Sequence, residues 1–317
     1  MFKQIIVPLD GSLAAEQAVP LAARIALASL GRLKLVHVVT VSPEQKLLLG
    51  AKKQQQRHEE ELQKANDYLT GVIERHPLTA VEVEHKVLFG QPGSTLLKYI
   101  NEQQSALVVL IAFEEPELKR WIFGSVAQEL VRNSTIPMLI LREKGKELEP
   151  DAKPPRALVC LDGSELAETV LEPAAYLLRN LALSTQKEFH LIRMVLKPTE
   201  REEAANLQIG ISVRRQAWSE AEEYLRAVSK RVAENHPELQ VTWAVQESIS
   251  VAKDLIKLAM LGEETSEPGV YAEAYDLIAL TTVGRQGLDR HILGSVAERI
   301  LHDATVPLFV VPPPVQS

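Results

Sequence analysis

Two short stretches of this chain carry residue types that could do chemistry, the first of them suited to holding an anion. VGRQGLDRHILGSVAER, starting at Val283, places Gly284 and Gly287 in a G-x-x-G spacing and follows them with Gly294–Ser295. Glycine lets backbone approach a phosphate closely and adopt positive φ, and the free N–H groups of a helix N-terminus favour an anion. Ser295 is an N-cap candidate whose hydroxyl can also donate to a phosphate oxygen. The second stretch, Asp162–Gly163–Ser164, closes an apolar run. There Asp162 can hold a ribose hydroxyl or a metal-bound water, or simply make a turn. Arg285 and Arg290 have the charge to meet phosphates, although surface arginines are commonly just solvated. His291 and His302 lack ligand-spaced partners and read as surface. A G-x-x-G alone is a weak signal, because glycines also mark plain turns.

The context adds weight, because the chain is written twice. FEEPELKRWIFGSVAQE, from Phe113, matches the glycine stretch in Leu, Arg, Ile and the GSVA block, but Glu114 and Glu117 replace the two glycines. Asp10–Gly11–Ser12 answers Asp162–Gly163–Ser164, LKLVHVV answers FHLIRMV, SALVVLIA answers YDLIALTT, and TIPMLILR answers TVPLFVVP. The offset grows from 152 at the first block to 170 at the last, so the second half carries net insertions. Much of that excess falls in GEETSEPGVYAEA, acidic and Pro/Gly-containing, which reads as a loop. REKGKELEPDAKPPR, charged and Pro-rich, reads as the linker. The expected organisation is a first domain over 1–143, a linker over 144–155 and a second domain over 156–317.

In each half, short β-branched runs alternate with longer helical patterns. In the second, ALVCL leads to Ser164 as N-cap candidate and a helix with Leu166, Val170, Leu171 and Leu177 on one face. A strand (FHLIRMV), a long polar helix from REEAANLQ to VAENH and a strand (QVTWAV) follow. Then come helix VAKDLIKLAM, strand DLIALT, helix LGSVAERIL and strand PLFVV. Five apolar strands separated by helices demand parallel crossovers, hence an α/β doubly wound sheet covered on both faces. Ligands of such sheets lie outside the carboxyl ends of the strands, at the switch point of strand order. Both DGS and the glycine stretch fall at those ends.

Bulk properties bound the rest. The chain has 317 residues, 46% hydrophobic and 24% charged, with a net charge of −7. That is a soluble globular composition of two-domain length, and its charge argues against holding nucleic acid by the backbone. The single cysteine, Cys160, excludes an internal disulfide and a multi-Cys metal site; within an apolar run it reads as a small buried hydrophobe. No stretch has the apolar length of a membrane span and the N-terminus is no signal peptide, so the expectation is a cytoplasmic protein without a membrane partner.

DGS after strand one, an apolar second strand, GRQG, GSVAER and VPLFVV together resemble the universal stress protein family, over nearly the whole chain as two tandem domains. The resemblance implies two five-stranded parallel sheets of strand order 3-2-1-4-5, of the adenine nucleotide alpha hydrolase-like kind. It also implies that Gly284, Gly287, Gly294 and Ser295 meet the phosphates and ribose of ATP, with backbone of Arg285 and Val296 nearby. Asp162 takes the place of the aspartate after strand one, Met194 that of the residue whose backbone reads the adenine edge, and Leu161 lines the same cleft. Mg can accompany the phosphates. The spacer LDRHIL, six residues, is shorter than in the family's best-known pattern. Cys160 and Arg193 stand where the first half has Pro8 and His37.

The first half keeps Gly124–Ser125 because the helix start serves the fold, while Glu114, Glu115 and Glu117 set like charge against a triphosphate. The expectation is therefore an ATP-binding second domain and a non-binding first domain that pairs with it within the chain as a pseudo-dimer, with homodimerisation through a second chain as an option. A stress or signalling role through nucleotide occupancy leads. A slow ATP hydrolase or phosphotransferase lacks an evident general base and metal cluster, and a nucleotide-free scaffold would make GRQG a plain turn.

Overall fold

In the computed structural model, each half places its first strand at the centre of a parallel sheet and lays later strands on both sides of it. The structure describes residues 1–40, 51–115, 120–122, 124–143, 148, 154–181, 187–197, 207–267, 270–282 and 293–314. The chain divides into two compact units, Met1–Lys144 and Gly145–Ser317.

The first unit runs β1 (Gln4–Leu9), α1 (Leu13–Glu16), α2 (Ala18–Ala28), β2 (Arg32–Val39), α3 (Ala51–Arg75), β3 (Glu82–Phe89), α4 (Pro92–Asn101), β4 (Ala106–Glu115), β5 (Arg120–Ile122), α5 (Ser125–Asn133) and β6 (Met138–Arg142). Its sheet order is β3-β2-β1-β4-β6, all parallel, with β5 attached antiparallel to β4. The second unit runs β7 (Arg156–Cys160), α6 (Glu165–Glu168), α7 (Leu171–Leu181), β8 (Glu188–Leu196), α8 (Leu207–Asn235), β9 (Gln240–Ser248), α9 (Val251–Leu261), β10 (Leu277–Thr281), α10 (Ser295–Asp303) and β11 (Leu308–Val311). Its order is β9-β8-β7-β10-β11, again parallel. The order reverses between β1 and β4 in one unit and between β7 and β10 in the other, which makes each the switch point where a crevice opens.

The strands are apolar runs because helices cover both faces of a doubly wound sheet. β10 and β11 are buried at every residue. The long helices bury matching stripes at i, i+4, i+7 spacing: Ala65, Leu69 and Val72 on α3, Ala221, Leu225 and Val228 on α8.

Two elements depart from the sequence reading. The helix expected after Ser164 is two: α6 stops at Glu168 and α7 restarts at Leu171. Pro173 explains the break, since inside one continuous helix its ring would clash with the carbonyl of Thr169. Pro20 stands in the same relation to Glu16, the last residue of α1. The second departure is EEPE. Glu114 and Glu115 continue β4 and pair with β5, in the register Phe113↔Ile122, Glu114↔Trp121 and Glu115↔Arg120. Within GEETSEPGVYAEA, Glu264 and Tyr271 form an antiparallel bridge, so that loop folds back on itself.

Candidate functional site

The carboxyl ends of β8, β7 and β10, neighbours in the second sheet, carry the residues singled out by the sequence. At the end of β7, Leu161 is buried and its N–H donates to the Ile192 carbonyl of β8 (2.9 Å). That bond fixes the parity of β8: backbone groups of even-numbered residues turn toward β7 and those of odd-numbered residues toward β9. Met194 therefore presents its N–H and C=O on the β7 side, beyond Cys160, the last residue of β7.

Asp162 makes the turn. Its Oδ1 accepts from the Ser164 N–H (2.8 Å) and hydroxyl (2.6 Å), while the Ser164 Oγ accepts from the Ala167 N–H (3.1 Å) as N-cap of α6. Gly163 between them has φ 88°, a left-handed conformation costly to any residue with a β-carbon. Asp10, Gly11 and Ser12 repeat the arrangement, with Ser12 N–H on Asp10 Oδ1 at 2.9 Å and Gly11 at φ 94°.

After β10, the Thr282 carbonyl accepts from Gly294 N–H (2.9 Å), and Gly294 is the N-cap of α10. Ser295 was expected to cap this helix. It is instead the first helical residue, and no side-chain hydrogen bond serves the cap. Gly124 and Ser125 hold the same positions at α5. The leading N–H groups of such a helix have no intrahelical acceptor, and among the described residues the N-cap supplies no side chain to take one up. Gly284, Arg285 and Gly287, with Arg290 and His291, lie outside the described residues, as does Glu117. Val296 follows Ser295 in the first turn of α10.

A repeated polar cluster beside the Asp turns escaped the sequence reading. From α8, Tyr224 stands within the fields of Asp162, Glu168 and Arg193, and the Arg193 guanidinium lies 5.2 Å from its ring centroid. Glu168 pairs with Arg231. In the first unit Tyr68, Glu16 and Arg75 recur, with His37 in place of Arg193. The His37 ring meets Tyr68 edge-on at 5.4 Å, and its Nδ1 lies 2.8 Å from the Leu9 carbonyl. Burial, then Glu16 and Asp10, push the Tyr68 phenol up to about 12; burial with Glu168 and Asp162 raises Tyr224, with Arg193 opposing. Carrying the repeat offset into the long helices finds these residues: 16 and 168 differ by 152, while 37 and 193, 68 and 224, and 75 and 231 each differ by 156.

Burial pushes the Cys160 thiol up to about 12, far from a reactive thiolate. Among the described residues, no group of His, Cys, Asp and Glu is placed to hold a metal ion, and no helix is long and apolar enough to cross a membrane.

Five parallel strands in the order 3-2-1-4-5, repeated in two units, define the adenine nucleotide alpha hydrolase-like class of α/β fold. The model of the universal stress protein family matches residues 1–142 and 270–312, more than half of the chain, and the chain belongs to that family. A universal stress protein of Methanocaldococcus jannaschii is 26% identical over 148 residues, 46% of this chain and 86% of the relative. One from Mycobacterium tuberculosis is 25% identical over 231 residues, 73% of this chain and 69% of the relative. Among solved structures, a universal stress protein from Archaeoglobus fulgidus superposes with a TM-score of 0.62 at 15% identity, covering 98% of both chains. A functionally unknown protein from Pseudomonas aeruginosa gives 0.58 at 16%, over 98% of this chain and 93% of that one. At such identities the likeness is one of fold.

Proposed function

We propose that the second half, 156–317, binds ATP at the carboxyl ends of β7, β8 and β10, and that the first half has given up this role. The observation that carries the reading is the different fate of equivalent segments after the fourth strand. In the first unit β4 runs on through Glu114 and Glu115 into a hairpin with β5. In the second, β10 stops at Thr281 and the G-x-x-G segment begins three residues later, at Gly284. Several features support a nucleotide there. The start of α10, capped by glycine alone, offers N–H groups to phosphate. Met194 turns backbone groups toward the crevice, as reading an adenine edge requires, and Leu161 supplies apolar surface beside it. Asp162, whose Oδ1 accepts from its own turn, stands at the end of β7 where a ribose hydroxyl or a metal-bound water would fall. In this reading Gly284, Arg285, Gly287, Gly294, Ser295 and Val296 surround the phosphates, Mg accompanies them, and occupancy rather than turnover carries a stress-response signal.

The test is to denature the purified protein and count released adenine nucleotide per chain, beside a Gly284→Glu/Gly287→Glu variant. About one ATP or ADP per chain, absent from the variant, is expected. Two per chain would overturn the assignment of the first half. None, with no binding on adding Mg-ATP, would make the chain a nucleotide-free scaffold.

A further inference from the structure

The outer edge of β9 differs from its counterpart in the first unit in its charge and in the loop beside it, and both bear on binding. β9 and β3 are each the terminal strand of their sheet, and among the described residues each pairs on one side only. Such an edge is a template for another strand, and proteins commonly blunt it with charge. β3, EVEHKVLF, is blunted: Glu82, Glu84, His85 and Lys86 lie along it, and Arg32 pairs with Glu82 at 3.0 Å and Glu84 at 3.1 Å. β9, QVTWAVQES, carries Glu247 alone, and Lys197 and Arg214 both approach it to 3.4 Å.

The backbone of β9 has a definite parity. Gln240 N–H donates to the Lys187 carbonyl at 2.8 Å and Lys197 N–H to the Ser248 carbonyl at 2.8 Å, so even-numbered residues bond to β8. In a parallel ladder the N–H and C=O of one residue share a side. Val241, Trp243, Val245 and Glu247 therefore aim theirs outward.

A cavity of about 830 Å³ straddles this edge. Trp218 of α8 lines one side of it, Leu258 of α9 and Tyr271 of the following loop line the other, and Val245 and Glu247 lie between. The loop belongs to this half: residues 262–276 join α9 to β10, whereas residues 102–105 make the same connection in the first unit. Two apolar side chains of these segments are exposed, Ile249 at 80% just past β9 and Val270 at 47% in the loop. The α9 and loop wall is acidic, with Asp254, Glu263 and Glu264 against Lys257, whose Nζ sits 5.5 Å from the Tyr271 ring centroid.

We infer that the β9 edge is a docking site for an extended, basic peptide segment of a partner protein, which adds to the sheet as a further strand. The outward N–H and C=O groups supply main-chain hydrogen bonds, and alternate side chains of the peptide turn toward Trp218. The acidic wall selects Lys or Arg at the intervening positions. A second copy of the chain fits less well, because it would bring the same acidic wall against this one and the chain already carries a net charge of −7.

The probe is a fluorescein-labelled ten-residue peptide alternating Lys and Val, with a Glu/Val peptide as comparison, read by anisotropy and by hydrogen exchange. The Lys/Val peptide should bind the full chain at least tenfold more tightly than the Glu/Val peptide. It should slow exchange in 240–248 and leave 82–89 unchanged. Val245→Pro removes one outward N–H without breaking a bond to β8, and should abolish binding. If its melting curve shows a destabilised fold, Glu264→Lys, at an exposed position, provides the second test and should weaken binding several-fold. No binding at millimolar peptide, equal binding of the two peptides, or protection that leaves 240–248 unchanged would overturn the inference. So would a concentration-dependent dimer lost on Val245→Pro, which would assign the edge to a second copy.

Discussion

The Arg75 guanidinium grips both oxygens of Glu16, with Nη2 2.9 Å from Oε1 and 3.0 Å from Oε2, and Nε 3.3 Å from Oε2. The Glu16 side chain is 6% exposed, whereas Glu168, held by Arg231 in the second unit, is 25% exposed. Removing the cation leaves a carboxylate with little water to replace it in the first case and more in the second. Arg75→Met should therefore cost about 2 kcal/mol and Arg231→Met no more than about 1 kcal/mol. Urea unfolding of the two variants compares them directly, and equal midpoint shifts would contradict the burial argument.

Cys160 ends β7 partly exposed rather than fully buried as its apolar run suggested, yet its thiol sulfur is desolvated and held far from ionisation. The native protein should react with a thiol-specific chromogenic disulfide at no more than about a hundredth of the rate of the urea-unfolded chain, since the thiolate is the nucleophile. Comparable rates in both states would place Cys160 in the open.

The repeat made the fold legible. Apolar runs at matching positions in both halves marked the strands, and the linker composition separated them. What stayed hidden had physical causes. In FEEPELKRWI the acids and proline outweighed any strand pattern, yet β4 carries Phe113, Glu114 and Glu115 into β5 because pairing there is local and antiparallel. The break between α6 and α7 was written in Pro173, but four apolar positions at helical spacing masked it. Glycine, not Ser295, caps α10, because side-chain chemistry names plausible caps without fixing which residue leaves helical φ and ψ. Tyr68 and Tyr224 looked like ordinary members of amphipathic helices. Only the repeat offset links each to its Asp turn.

Gly11 and Gly163 sit at φ 94° and 88°, and a β-carbon on Gly11 would meet no atom within 4 Å. Any penalty of Gly11→Ala is therefore conformational, on the order of 1 kcal/mol. Gly11→Asn should recover most of it, because Asn tolerates the left-handed region. Thermal melts of the two variants check this; an alanine variant as stable as the parent would show that the turn relaxes.

His190 on β8 supplies a pH dependence whose sign is fixed by its surroundings. The residue is 4% exposed, its Nδ1 lies 2.8 Å from Thr242 Oγ1 and its Nε2 3.4 Å from Glu263 Oε1, with the Tyr275 ring 5.5 Å away. Burial lowers its pKa to about 4, the Glu188 charge opposes the shift and the Arg156 charge adds to it. In the unfolded chain the imidazole titrates near ~6.5. Between those values the unfolded state holds a proton that the folded state does not, so stability falls as pH drops from about 6.5 to about 4 and this group adds no further loss below. Between pH 7 and pH 5 the expected loss from His190 is about 2 kcal/mol. Other groups titrate as well, so the informative quantity is the difference between parent and His190→Phe, each unfolded by urea at both pH values. The variant should lose about 2 kcal/mol less than the parent over that interval. Equal losses would mean that His190 gains a proton in the folded protein as readily as in the unfolded chain, with Glu263 closing on Nε2 to hold it.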